Sequence, residues 1–311
     1  MSLSAYIIAF LTAAAISVLI KLAGSPQKRA YKVKWNQSVG TIETDIKYGK
    51  NIGNEFDLYL PADNTRDSYG LVIYLHAGSF TNGDKKDDVE ILKWLCSKGY
   101  VAAGVNYTLT DRVNGAGIFS QSQDIKRAVP KVVAKAEKLG YKINGMAVAG
   151  GSAGGTLALL YAFRDAASAP VPVKMVFETA GPAGFDREDW GIYGLDKNAY
   201  GAASMFSGMA GKLITPEMIE DGSYADVLKD ISADKWITER SVPALLAYGS
   251  HDKICPCATA RRLAAELEKH GVPHDYIEFP HSGHGLQNDN KYFRHYIKKL
   301  NEYLARYLPV S

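Results

Sequence analysis

Between Met146 and Phe163 the chain passes from the apolar run Met146-Ala147-Val148-Ala149, through Gly150-Gly151-Ser152-Ala153-Gly154-Gly155, into the helix formers of Thr156 to Phe163. A short apolar run of this kind suits a buried parallel strand, and the residues after it suit a helix. One serine between glycines at such a junction reads as a nucleophile elbow, a turn so tight that the serine is strained and neighbouring Cβ atoms would meet the facing chain. Gly150 and Gly154 remove those atoms. The turn presents a hydroxyl above the sheet edge, with the N–H of Ala153 and the start of the next helix aimed at any oxyanion formed beside it. Neither the Gly-x-Gly-x-x-Gly of a dinucleotide site nor the Gly-Lys-Ser/Thr of a phosphate loop occurs here.

A serine is a poor nucleophile at pH 7, so this reading requires a histidine base and an orienting carboxylate at the ends of later strands. Ala244 to Tyr248 is an apolar strand candidate ending in Gly249-Ser250-His251-Asp252, and Tyr276 to Pro280 is another, followed by His281-Ser282-Gly283-His284-Gly285. Asp252 is assigned as the acid and His284 as the base. His281 and His251 compete for the base role; His284 is preferred because Gly283 and Gly285 let a loop carry its ring to the serine, whereas His281 directly follows Pro280. Glu178, ending the apolar run Val173 to Phe177, is the rival acid. Earlier in the chain, Leu71 to Leu75 runs into His76-Ala77-Gly78-Ser79-Phe80, a small-residue loop whose N–H groups at Ala77 and Gly78 complete the expected oxyanion hole with Ala153.

These residues resemble the α/β-hydrolase carboxylesterases related to hormone-sensitive lipase and the BD-FAE-like esterases, over roughly Phe56 to Tyr307. The order Ser152, Asp252, His284 is that of the α/β-hydrolases. His76-Ala77-Gly78-Ser79-Phe80 departs from the family's His-Gly-Gly-Gly-Phe/Trp at its second and fourth places. Val105-Asn106-Tyr107-Thr108-Leu109 is similar to the family's Val-Asn-Tyr-Arg-Leu, with Thr108 in place of the arginine. The resemblance implies hydrolysis of small carboxylic esters with no metal and no organic cofactor. A serine peptidase of the prolyl-oligopeptidase type uses the same residue order, although this chain has no room for a propeller domain, and a non-catalytic hydrolase-like binding protein is the third reading.

Two alternating segments, Thr41 to Tyr48 and Glu55 to Leu60, read as an antiparallel pair, and six apolar runs interleaved with helical stretches follow. The expected fold class is α/β: an α/β-hydrolase fold with a mostly parallel, doubly wound, eight-stranded sheet and an inserted helical cap. The catalytic domain is set at 38–311. Its cap, about 181–240, carries Phe185, Trp190, Tyr193, Tyr200, Met205, Phe206, Met209 and Met218, expected to form the cap's own core or to shape a pocket over the serine. With 311 residues, 47% of them hydrophobic, one large core is affordable and no linker divides it. A net charge of +3 is too small to argue for nucleic acid. Cys96, Cys255 and Cys257 make no disulfide framework and lack the second ligand pair of a zinc site.

Residues 1–23 differ in kind. Leu3 to Ile20 carries no charge and approaches the length a helix needs to cross a bilayer. A membrane anchor is favoured over a cleaved signal peptide, which makes secretion the alternative, and over an amphipathic segment packed on the domain. Lys21, Lys28, Arg29, Lys32 and Lys34 follow, which by the positive-inside rule would hold the domain on the cytoplasmic side. Oligomeric state is not readable from this sequence.

Overall fold

The computed structural model describes residues 30–111 and 115–310. The apolar run Leu3 to Ile20 lies outside them, and no helix among the described residues is long and apolar enough to cross a membrane. The chain enters an antiparallel pair, β1 (Gly40–Lys47) and β2 (Glu55–Pro61), then β3 (Tyr69–Leu75), α1 (Val89–Ser97), β4 (Val101–Val105), α2 (Ile118–Lys138), β5 (Ile143–Gly151) and α3 (Ala153–Leu160). After β6 (Val173–Thr179) come three short helices, α4 (Ala199–Ala210), α5 (Pro216–Asp221) and α6 (Tyr224–Leu228). The chain closes with β7 (Ala244–Gly249), α7 (Cys257–Lys269), β8 (His274–Phe279) and α8 (Asn290–Tyr307).

The eight strands form one sheet in the order β1-β2-β4-β3-β5-β6-β7-β8. The β1–β2 and β2–β4 contacts are antiparallel and every other contact is parallel. The parallel strands β3, β4 and β5 are apolar along nearly their whole length because helices cover both faces. One apolar layer gathers α2 and α3 against Ile73, Val148, Val176 and Leu246; the other gathers α1 and α8 against Val72, Ala147, Phe177 and Leu245. Alternation along each strand sends successive residues to opposite layers, so both cores draw on the same six strands.

The segment between β6 and β7 extends the apolar layer of α2 and α3. Phe185 stacks on Trp190 at 5.4 Å, and Phe206 meets both rings edge-on while stacking on Tyr224. Tyr193 and Tyr200 face solvent.

Behind the loop that follows β3, Lys85 is buried, with Nζ 2.7 Å from Asp45, 3.2 Å from Asp57 and 3.4 Å from Glu55. Asp45 reaches it from an irregularity in the β1–β2 register, where its φ is 56°. Replacing Lys85 with Met leaves the buried Asp57 carboxylate without its cation. Equilibrium denaturation is expected to register a loss of roughly 3 kcal/mol; a change inside the range of a surface pair, under about 1 kcal/mol, would show that the network does not anchor this corner.

Candidate active site

Ser152 sits at the junction of β5 and α3 with φ 52° and ψ −121°, a left-handed backbone that a side-chain-bearing residue adopts only under constraint. The crowding around it is severe. A Cβ on Gly150 would lie 2.4 Å from the Gly154 carbonyl carbon, and one on Gly154 would lie 2.0 Å from the Leu75 oxygen and 2.6 Å from the His76 oxygen. Gly154 therefore does two things: it lets the turn close, and it lets the loop after β3 run directly against the serine. The Ser152 N–H is tied to the Thr179 carbonyl at 2.7 Å, so β6 holds the turn from the other side.

The sheet edge brings the three distant side chains together. The Ser152 hydroxyl lies 2.9 Å from His284 Nε2, and His284 Nδ1 lies 2.8 Å from Asp252 Oδ2. The other carboxylate oxygen, Oδ1, accepts the N–H groups of Ile254 and Cys255 at 2.7 and 2.9 Å. With an ionised Asp252 on the Nδ1 side, the ring's proton belongs on Nδ1, and Nε2 is left to accept from the serine. The rival histidines point elsewhere. His281 is bound to Asp289 at 2.9 Å, and His251 contacts Ser250.

Glu178 is likewise absent from this series. It is fully buried at the end of β6, where Oε2 accepts the Gly181 N–H at 2.8 Å and Oε1 has no partner. The Tyr248 hydroxyl beside it donates its one proton to the Gly181 carbonyl. A protonated Glu178 can donate to the phenol oxygen; an ionised one cannot. Burial pushes its pKa up to about 8.

The loop after β3 has positive φ at Gly78, Ser79 and Phe80 in succession. A Cβ on Gly78 would lie 2.0 Å from the Asn82 oxygen, and the Gly78 carbonyl accepts from the Thr81 and Asn82 N–H groups. Ala77 lines the cavity that holds Ser152 and His284; Gly78, one residue on, does not. Within the described backbone the Ala77 and Gly78 N–H groups donate to no carbonyl, and Ala153, as the first residue of α3, has an N–H with no intrahelical acceptor. The Val105-Asn106-Tyr107 motif supports this loop. The Tyr107 hydroxyl donates to the His76 carbonyl at 2.9 Å and its ring stacks on the His76 imidazole at 4.3 Å, while Asn106 bridges the Lys85 N–H and the Asp84 carboxylate. Burial depresses the His76 pKa, which keeps that ring neutral in the stack.

Two features escaped sequence reasoning. Cys255, whose thiol burial holds protonated, lies beside the Asp252 and His284 pair. With Asp252 and His284 it forms the group of metal-ligand types found among the described residues, their atoms within 4.8 Å of one another; the His284 and Asp252 atoms already face each other and the serine. The cavity beside Ser152, about 320 Å³, is lined by Tyr31, Tyr74, Asp88 and Tyr296 and by no residue of 181–240. Of the two readings of that segment, pocket wall or core, the cavity's lining departs from the first: Phe185, Trp190 and Phe206 are buried in the apolar cluster that also holds α2 and α3.

The BD-FAE family profile matches residues 56–267. The chain belongs to the BD-FAE family. Esterase LipC of Mycobacterium tuberculosis is similar, 23% identical over 249 residues that make up 78% of this chain and 59% of LipC. Kynurenine formamidase of Danio rerio is 30% identical over 129 residues, 42% of this chain and 41% of that protein. The chain thus matches about half the length of these curated relatives. Among solved structures, esterase B from Lactobacillus rhamnosis shares 17% identity at a TM-score of 0.66, with 96% of each chain covered. The thermophilic esterase Est2 of Thermogutta terrifontis shares 19% at 0.67, covering 89% of this chain and 95% of its own. The fold of this BD-FAE member is the α/β-hydrolase fold of those structures.

The state of Glu178 has a measurable consequence. In the unfolded chain its proton leaves near the ordinary value of 4.5, and in the folded protein near 8. Below 4.5 both states hold the proton. Between the two values only the folded state does, so stability falls as pH rises and levels off above about 8. Glu178→Gln, which copies the protonated form, is expected to gain stability relative to the parent across that window and to run parallel outside it. A pH-independent difference between the two denaturation profiles would show that Glu178 is ionised in the fold.

Proposed function

We propose that the protein is a serine carboxylic ester hydrolase that works through an acyl-enzyme on short to medium acyl esters. The observation carrying this reading is the continuous hydrogen-bonded series from the Ser152 hydroxyl through both nitrogens of His284 to Asp252. In the proposed cycle His284 Nε2 takes the Ser152 proton as the oxygen attacks the ester carbonyl, and Asp252 stabilises the imidazolium that results. The N–H groups of Ala77, Gly78 and Ala153 receive the oxyanion. His284 then protonates the departing alcohol, and water activated by the same nitrogen releases the acid and frees the serine.

The small cavity beside Ser152 supports short substrates, since about 320 Å³ is at the low end of the range for small-molecule sites. Amide hydrolysis is the second reading, favoured by the similarity to a kynurenine formamidase. Rates on p-nitrophenyl esters against aminoacyl anilides separate the two. Ser152→Ala is expected to lower esterase kcat by about 10⁴-fold or more and to abolish labelling by a fluorophosphonate probe. Near-parental turnover in that variant would end the serine-hydrolase reading.

We also propose that Leu3 to Ile20 holds the enzyme at a membrane, on the strength of its uncharged length and the basic residues that follow it. Full-length protein is then expected to stay in the membrane fraction through an alkaline carbonate wash, and its release would exclude an anchor.

A further inference from the structure

The turn that carries Asp252 contains a peptide group held at both of its ends. The N–H of the peptide joining Ile254 to Cys255 donates to Asp252 Oδ1 at 2.9 Å, and the carbonyl of that same peptide, on Ile254, accepts the Tyr193 hydroxyl at 2.9 Å. A peptide unit is planar and turns as one body, so whatever fixes its oxygen also fixes the direction of its N–H. The Ile254 N–H, on the preceding peptide, reaches the same carboxylate oxygen at 2.7 Å, and Oδ2 is left to face His284 Nδ1 at 2.8 Å. Tyr193 thus grips the peptide that holds Asp252, one hydrogen bond removed from the carboxylate itself.

Tyr193 belongs to the segment inserted between β6 and β7, and it is braced there from two sides. It ends the short helical stretch Arg187–Tyr193. Its ring stacks on Trp190 at 6.0 Å, and Trp190, buried, donates from Nε1 to the Gly184 carbonyl at 3.1 Å. Asp189 of the same stretch receives two hydrogen bonds from Arg262 of α7, at 2.7 and 3.0 Å, and α7 begins at Cys257, two residues after Cys255. A phenol on a loose loop would hold its acceptor poorly; one fixed by a ring stack and a forked ion pair can keep a peptide plane at a set angle. Neither Tyr193 nor Ile254 lines the cavity beside Ser152.

We infer that Tyr193 is a positioning residue for the hydrolytic site: its hydroxyl, through the Ile254 carbonyl, sets the angle at which the Cys255 N–H meets Asp252, and so ties the inserted segment to the acid of the Ser152 series. The inference rests on the ester-hydrolase reading above and adds to it a residue outside the serine, histidine and aspartate. A hydrogen bond on the carbonyl also polarises the peptide and strengthens its N–H as a donor. Without the phenol the peptide is able to tilt, and the carboxylate loses its fixed direction toward Nδ1. The transition state, in which the imidazolium leans on Asp252, then loses more than the bound substrate does, and the deficit falls on kcat.

The test is Tyr193→Phe in the full-length protein. Tyr193 is 44% exposed, and this substitution keeps the ring on Trp190 while removing the hydroxyl alone. On a short-chain p-nitrophenyl ester, kcat per folded protein is expected to fall about fivefold, the rate equivalent of one neutral hydrogen bond, with KM within about twofold of the parent. The same substitution is then made in an Asp252→Asn background, the folded fraction of each variant being taken from near-UV circular dichroism. There it is expected to cost less than about twofold, because the carboxylate whose direction it sets is already gone. A kcat for Tyr193→Phe within about twofold of the parent overturns the inference, as does a loss carried by KM or one repeated in full in the Asp252→Asn background. Those outcomes leave the hydrolase reading standing. Parental turnover no higher than that of Ser152→Ala would remove that reading and the positioning role together.

Discussion

The close approach of the Leu75 and His76 carbonyls to Gly154 leaves no room for a side chain there, and much of the architecture follows from it. Two parallel strands end side by side, and the chain leaving one must turn into a helix within a single residue while the chain leaving the other crosses its path. That is sterically feasible only without side-chain carbon at 150 and 154, and only with Ser152 in a left-handed conformation. Strain at one residue is tolerated because the surroundings over-determine it. The Thr179 carbonyl holds the serine N–H, α3 continues from it, and the neighbouring strands β3 and β6 are largely buried. The hydroxyl is thereby presented at the carboxyl edge of the sheet, where the loops after β7 and β8 can reach it.

Around that point polar groups are graded by how completely they are satisfied. Asp252 accepts hydrogen bonds on both oxygens and is shielded from water. Glu178, two strands from β8, has one oxygen bonded and one bare, and holds its proton instead. Asp88, whose Oδ2 is buried without a partner, belongs with the incompletely satisfied groups, and burial raises it in the same direction as Glu178.

Much of the fold was legible because its signals are local and repeated. Apolar runs at Leu71, Met146, Val173 and Ala244 fall on strands, and the first residues of β5 escaped notice because Asn144 and Gly145 interrupt the apolar pattern. Ser152, His284 and Asp252 could be chosen from sequence because each sits where a strand ends, flanked by small or turn-forming residues. That His284, and not His281, comes to lie beside Ser152 was readable from the glycines around the former. What covers the serine was not readable. An aromatic-rich segment inserted before β7 has the composition of a pocket wall, but composition does not say which way rings face, and these face each other.

The amino-acid sequence by itself determined the order of strands and helices, the elbow, and the residue types able to perform acyl transfer, because backbone sterics and apolar periodicity act over a few neighbours and leave a local trace. Only the tertiary structure decided which residues wall the cavity. Tyr31, Tyr74, Asp88 and Tyr296 come from the region before β1, from β3, from the start of α1 and from α8, and nothing in their separate surroundings marks them as partners. Their meeting depends on how two helices lie across one face of the sheet, and that is settled by the packing of the whole layer and not by any short stretch of chain.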